Sequence, residues 1–151
     1  MELKPASDSD LELILAWRNN PDVYSGFYTQ SLTNHLITWE EHLAWWKSRN
    51  SDWHEFLIWY EGRRIGVVTI VQCDNWTPEV GFFIGETSLW NKGIGAQAVK
   101  LAEEWLRDRG YVQTHTTVPV SNTRAIYLLK ERGWIEAGHA RKGELRFEKE
   151  L

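Results

Sequence analysis

The chain has 151 residues, a formal charge of −4, 42% hydrophobic and 25% charged residues. That is one domain's length with enough apolar material for its own core, which excludes a disordered chain, and the acidic balance argues against broad binding to nucleic acid or an anionic membrane. Cys73 is the only cysteine, so an intrachain disulfide and metal sites built on paired cysteines are excluded.

Met1-Glu2-Leu3-Lys4-Pro5 has no apolar run behind a basic start, and no stretch approaches the roughly 20 apolar residues of a membrane span, so a cytoplasmic location is expected. Residues 2–5 predict a short strand. Ser7-Asp8 or Ser9-Asp10 then caps a first helix, with Leu11, Leu13, Ile14 and Trp17 as its apolar face up to Arg18. Asn19-Asn20-Pro21 stops it, and residues 19–37 read as irregular, with Tyr24, Phe27 and Tyr28 clustered behind the stop. Thr38-Trp39-Glu40-Glu41 has capping-box spacing and predicts a helix to Ser48 with Leu43 and Trp46 inward.

Residues 56–60 and 65–71 pair as a hairpin about Glu61-Gly62-Arg63, and 79–84 is a further strand. Over 95–109, Ala98, Leu101, Ala102, Trp105 and Leu106 recur at helical spacing, while Lys100, Glu103, Glu104, Arg107 and Asp108 face water; Gly110 ends this helix. A strand over 113–120, a helix over 122–132 closed by Gly133, and two short strands joined near Arg141-Lys142-Gly143 follow. With no repeat or linker-like shift, residues 1–151 read as one α/β domain. Its sheet is mixed, the strands on either side of the long helix run parallel, and about four helices flank it. Of ten tryptophans, Trp59, Trp105 and Trp134 fall at core positions. Trp45, Trp46 and Trp53 do not share one buried face, which leaves the lining of a ligand groove open to them.

The segment Trp90-Asn91-Lys92-Gly93-Ile94-Gly95-Ala96 joins a strand to the long helix. Gly93 and Gly95 let the backbone turn tightly and approach a ligand, the first-turn N–H groups lack internal partners, and Lys92 adds a charge. Together these form a pyrophosphate cradle, although an ordinary tight turn explains a lone Gly-x-Gly equally well. It is neither a Walker loop, because no Gly-Lys-Ser/Thr follows, nor a dinucleotide fingerprint, because the third glycine is missing.

The setting narrows the reading. A strand with Glu79, this loop, a long helix, a strand, and then Asn122-Thr123-Arg124-Ala125-Ile126-Tyr127-Leu128-Leu129-Lys130-Glu131-Arg132-Gly133-Trp134 resembles the GNAT superfamily of N-acetyltransferases over nearly the whole chain. The loop resembles the family's Arg/Gln-x-x-Gly-x-Gly/Ala, and the second motif its Asn-x-x-Ala-x-x-Leu-x-x-x-x-Gly-Phe. Trp90 in place of the first Arg or Gln, with Trp17-Arg18-Asn19, is similar to the branch of ribosomal-protein alanine acetyltransferases (RimJ and RimL type). The same features occur in the amino-sugar acetyltransferases of pseudaminic acid synthesis, which Trp39-Glu40-Glu41-His42 resembles somewhat more.

The resemblance implies a mostly antiparallel sheet whose central parallel pair splays around acetyl-coenzyme A. The arm of the cofactor would bond to the backbone at Phe82, Phe83 and Ile84 as an added strand. Its phosphates would lie on Trp90, Asn91, Lys92, Gly93, Ile94, Gly95 and Ala96. Asn122 would reach the arm or a water, or simply cap its helix; Lys130 would touch distal phosphates, or remain a solvated lysine. Amine attack on a thioester needs a neutral amine, and Glu79, fourteen residues before Gly93, is the candidate base at the family's spacing. Backbone N–H groups near Phe83 would hold the oxyanion. Leu129 stands where many members carry a proton-donating tyrosine; Tyr127 lies roughly 200° around the helix, which leaves Ser121 as the candidate. His42 is expected at the surface, His115 opposite Glu79, and Cys73 packed in a strand with nothing to activate its thiol.

These expectations describe direct acetyl transfer to the primary amine of a small molecule or a nucleotide-linked amino sugar, with no metal, nucleic acid or membrane partner. A protein N-terminus as acceptor, or a non-catalytic acyl-CoA-binding domain, remain alternatives. Homodimers are common among proteins the chain resembles.

Overall fold

Thr38 caps a helix as its spacing requires: its hydroxyl oxygen accepts from the Glu41 N–H at 3.1 Å, and the Glu41 carboxylate accepts from the Thr38 N–H at 3.2 Å. In this computed structural model, which describes residues 1–73 and 77–151, that helix is the fourth of six among the described residues. They are α1 (Leu11–Arg18), α2 (Pro21–Tyr24), α3 (Tyr28–Thr33), α4 (Trp39–Ser48), α5 (Ile94–Asp108) and α6 (Thr123–Glu131). The expected count of about four is too low because 19–37 is not irregular. Asn20-Pro21, which stops α1, also starts α2: Asn20 Oδ1 accepts from the Asp22 N–H at 3.0 Å, and Pro21 sits at the first helical position. α3 follows Phe27 with no side-chain cap, so no local signal announces it.

Seven strands form one sheet: β1 (Glu2–Pro5), β2 (His54–Tyr60), β3 (Arg63–Val71), β4 (Glu79–Ile84), β5 (Gln113–Pro119), β6 (Ile135–Arg141) and β7 (Glu144–Glu150), in the order β1-β2-β3-β4-β5-β7-β6. Every neighbouring pair is antiparallel except β4–β5, which is parallel as expected. Alternate residues of the central strands serve two cores. Ile58, Val68, Ile70, Val80 and Ile84 meet α5 and α6 on one face, where Ala98 and Ala102 let the long helix approach closely. Leu57 and Val67 meet Ile14 and Trp17 of α1 on the other. Among the described residues no helix is long and apolar enough to cross a membrane.

Several side chains depart from their expected places. His42, expected at the surface, is fully buried, and its Nε2 lies 2.9 Å from the Leu11 carbonyl; Leu43 and Trp46 are only half-buried. Glu103, expected to face water, is 1% exposed, bonded to Arg132, Lys149 and Trp134. Trp134 is in the core as expected, but Trp59 and Trp105 are half-buried at its margin. Cys73 lies beyond the end of β3, half-buried against the core, with its backbone N–H donating to Asp52 Oδ1.

The contact between β3 and β4 is close at Gly66, where a Cβ would come 2.3 Å from the Phe83 carbonyl oxygen. Since the obstacle is backbone, Gly66→Ala must part the strands. It is expected to destabilise by about 1–3 kcal/mol, the range for an overpacked core, read from the midpoint of urea unfolding; an unchanged midpoint would contradict the close approach.

Candidate active site

β4 and β5 share one registered pair, Glu79 with His115. Around it, side chains take over from the ladder. The His115 N–H and the Thr114 hydroxyl both donate to the Pro78 carbonyl, and the Thr116 hydroxyl donates to the Val80 carbonyl at 2.6 Å. Beyond this point the strands part, and a cavity of about 1180 Å³ opens between them. Its walls include Phe82, Phe83 and Ile84 from β4, and the cavity runs from the start of α5 to a chamber under α1–α4.

At the α5 end, no side chain caps the helix, so its first N–H groups remain free of a side-chain partner. Gly93 has φ +77°, a left-handed conformation that favours glycine, and a Cβ there would meet nothing within 4 Å. The expected cradle is therefore open. Trp90, Asn91, Gly93, Gly95 and Ala96 line it. The Trp90 indole N–H donates to the Ile84 carbonyl at 2.9 Å, which ties the loop to the end of β4. Ile94 is buried in the core, so only its backbone faces a ligand.

The expected cations are elsewhere. Lys92 and Lys130 are exposed and off the cavity wall. The charge at the cradle comes from Arg124, which sequence reasoning missed: its guanidinium lies over the Trp90 ring, 4.0 Å from the centroid, and its Nε donates to Asn91 Oδ1. Its place two residues after Asn122, in the first turn of α6, was the available signal. Asn122 lines the cavity and caps α6, accepting from the Ala125 N–H at 3.2 Å.

At the thioester end the proton-handling candidates fare unevenly. Glu79 Oε2 lies 3.2 Å from His115 Nε2, and neither residue lines the large cavity. Ser121 is exposed and borders a smaller adjoining cavity with Asp22 and Ser25. Leu129 is 1% exposed, a core residue, whereas Tyr127 is 69% exposed at the cavity's rim.

The chamber also holds a carboxylate that was not anticipated. Glu55, on β2, is 6% exposed and lines the cavity, and its Oε2 accepts from the Trp53 indole N–H at 2.8 Å. Burial pushes its carboxyl up to about 7, against the Trp53 bond and the charges of Arg49 and Arg18. Starting β2 at 56 left Glu55 outside the strand; extended to His54, it shares a face with Leu57. Trp45 and Trp53 line the chamber, as the groove-lining alternative allowed.

Comparison with known proteins gives the same picture. The family model for an acetyltransferase (GNAT) domain matches residues 1–134. An uncharacterised protein of Methanocaldococcus jannaschii is 36% identical over 154 residues, and acetyltransferase PseH of Campylobacter jejuni is 31% identical over 91 residues. These matches cover 99% and 59% of this chain but only 31% and 53% of those relatives' lengths. The crystal structure of a domain from M. jannaschii is similar with TM-score 0.91 at 35% identity, over 99% of this chain and 97% of that one. At 18% identity, spermidine N-acetyltransferase from Vibrio cholerae, solved with CoA and spermine, shares the fold with TM-score 0.84 over 98% and 94% of the two chains. The chain therefore belongs to the family of acetyltransferase (GNAT) domains.

Proposed function

We propose that this chain transfers an acetyl group directly from acetyl-CoA to the primary amine of a small molecule, a nucleotide-linked amino sugar being the favoured class. The observation that carries this is one continuous cavity joining the α5 cradle to an aromatic chamber that holds a buried carboxylate. Acetyl-CoA supplies the activated acyl group. The chain's part is to bind and orient it: pyrophosphate on the N–H groups at Gly93–Ala96 with Arg124 beside it, and the arm along Phe82–Ile84, whose β5-facing edge lies beyond the one β4–β5 pair. Asn122, which lines the same cavity, would reach that arm. Lys92 and Lys130 contribute only at a distance, through the field around the mouth.

In the chamber, Trp45, Trp53, Phe27 and Tyr28 offer flat apolar faces suited to a sugar or base ring. Arg18 lines the same wall with its guanidinium 5.5 Å from the Trp45 centroid and in no ion pair among the described residues, which suits an acceptor that carries phosphate. With Leu129 in the core and Ser121 outside the cavity, the departing thiolate, of pKa near 8.5 in free cysteine, leaves without a dedicated acid.

Glu79→Gln decides the part played by Glu79. A rate at saturating amine and neutral pH that falls at least about 100-fold keeps it as the base. The bond to His115 supports the other outcome, a fall under about tenfold with an unaltered pH profile, in which the pair clasps the foot of the splay.

The overall reading is tested by measuring CoA release with panels of nucleotide-linked amino sugars, polyamines and short peptides. Turnover confined to the first panel is expected. Turnover of peptides alone would move the acceptor to a protein N-terminus, and acetyl-CoA binding without turnover on any panel would favour a non-catalytic domain.

A further inference from the structure

We propose that Glu55 grips the acceptor's ammonium group and takes its proton, an assignment that rests on the acetyltransferase reading above. Glu55 pairs across the sheet with Thr69, and Thr69 with Gly81, so the three share one row and one face. Two strand spacings, about 10 Å, separate Glu55 from Gly81. Gly81 has no side chain, and a Cβ there would come 2.5 Å from Thr69 Oγ1. The Thr69 hydroxyl covers Gly81, and all three residues line the cavity, so an amine held in this row would lie between Glu55 and the β4 backbone along which the thioester arm is proposed to run.

The carboxylate is held but not used up. Oε2 takes the Trp53 indole N–H, while Oε1 has no hydrogen bond and no ion pair among the described residues. The charged groups that face it are Arg18 from α1 and Arg49 from the segment after α4, and both lie over the Trp45 ring, at 5.5 and 5.7 Å from its centroid. His42, stacked on Trp45 and buried, is held neutral, its pKa lowered by burial. Gln30 lines the same cavity, but its Oε1 is itself buried and its amide N–H groups donate to the Arg18 and His35 carbonyls, so the open acceptor in the chamber is Glu55 Oε1. A vacant carboxylate oxygen in an aromatic chamber suits a ligand with N–H donors and a positive charge, which a primary ammonium has.

The chemistry closes. An N–H bond of the ammonium breaks and the proton goes to Glu55 Oε1, leaving a lone pair on nitrogen. That pair forms the N–C bond to the acyl carbon as the C–S bond breaks, and its electrons leave with sulfur. The remaining surplus proton on nitrogen passes to the thiolate, and Glu55 returns its own proton to water. The products are the amide and CoA thiol. A carboxyl raised to about 7 by burial is matched to this exchange at neutral pH.

The test compares the wild type with Glu55→Gln, Glu55→Asp and Trp53→Phe, using the best amine from the panels, a thermal melt, and an acetyl-CoA titration of each variant. Glu55→Gln is expected to lower kcat/KM for the amine at least about 100-fold at pH 7, with acetyl-CoA affinity within about twofold of wild type because the cradle is remote. The acidic limb of the wild-type profile, near pH 7, should vanish from the residual activity, and Glu55→Asp should restore both the limb and at least about tenfold of the rate. Trp53→Phe removes a bond that favours the charged form, so the limb should move to higher pH; this variant keeps the proposal testable even where Glu55→Gln fails to fold. A Glu55→Gln enzyme within about fivefold of wild type, or a limb that neither variant moves, would overturn the assignment of Glu55 alone. A wild type that turns over no amine overturns the acetyltransferase reading and this one with it.

Discussion

Gly93→Asp is expected to raise the Kd for acetyl-CoA at least about 100-fold, or about 2.7 kcal/mol, while thermal stability stays within a few degrees of wild type. The two effects separate because they act in different states. A Cβ at Gly93 meets nothing within 4 Å, so the free protein suffers no clash. The left-handed φ of +77° costs a non-glycine residue roughly 1–2 kcal/mol, less for aspartate. A carboxylate at the N-terminus of α5 recovers about 0.3–1 kcal/mol from the helix dipole. Binding has no such offset. The new carboxylate occupies the place of the pyrophosphate and repels it, and like charges about 4 Å apart near a protein surface oppose each other by about 4 kcal/mol. Gly93→Ala carries the strain without the charge, and its Kd should rise less than about tenfold. Calorimetric titration of the three proteins checks this, and equal affinities for wild type and Gly93→Asp would remove the cradle from the cofactor site.

Glu103→Gln should cost about 3–5 kcal/mol of folding stability. Glu103 Oε1 accepts from Arg132 Nη2 at 2.7 Å and Lys149 Nζ at 2.8 Å, while Oε2 accepts from Arg132 Nε at 3.2 Å and the Trp134 indole at 3.1 Å. One carboxylate thereby joins α5 to the end of α6 and to β7. The amide keeps the shape but can accept fewer bonds, and it leaves two cations with side chains only 27% and 17% exposed facing no negative charge. Burial alone would push the Glu103 carboxyl up, but the bonds from Arg132, Lys149 and Trp134 outweigh it and hold the group below its ordinary value. A carboxylate with a depressed folded pKa stabilises fully above its unfolded pKa, about 4.3, and loses that contribution as pH falls through the folded value. Urea unfolding at several pH values should therefore show the wild type losing stability in that acidic window and the variant losing less. Parallel curves would contradict the role given to Glu103.

How far these features could be read from residues alone depended on how local their causes are. The Thr38 capping box, the turn at Glu61-Gly62 and the glycine loop before α5 depend on partners a few positions away, and the strand at 79–84 was placed at its observed bounds. Glu103 was misread because a carboxylate among the inward Val99 and Leu106 makes sense only with its partners, and Arg132 and Lys149 lie 29 and 46 residues further on. Glu55 has the same difficulty in another form, since its row passes through Thr69 to Gly81 and becomes visible only when three strands are in register. Lys92 is in the loop and Arg124 is not, yet Arg124 makes the contact, because α6 brings it over Trp90. Long-range geometry rather than motif spacing decided each of these.

The single pairing of β4 with β5 turns the cleft into a wedge with a fixed apex at Glu79 and His115. Next to that pair the Thr114 and Thr116 hydroxyls donate to the Pro78 and Val80 carbonyls. The two halves of the sheet are thus fastened to each other at one end of the cleft, by one backbone pair and the side chains beside it, so Thr116→Val, which keeps the shape and removes its bond, would loosen the joint between the halves without touching the wall of either.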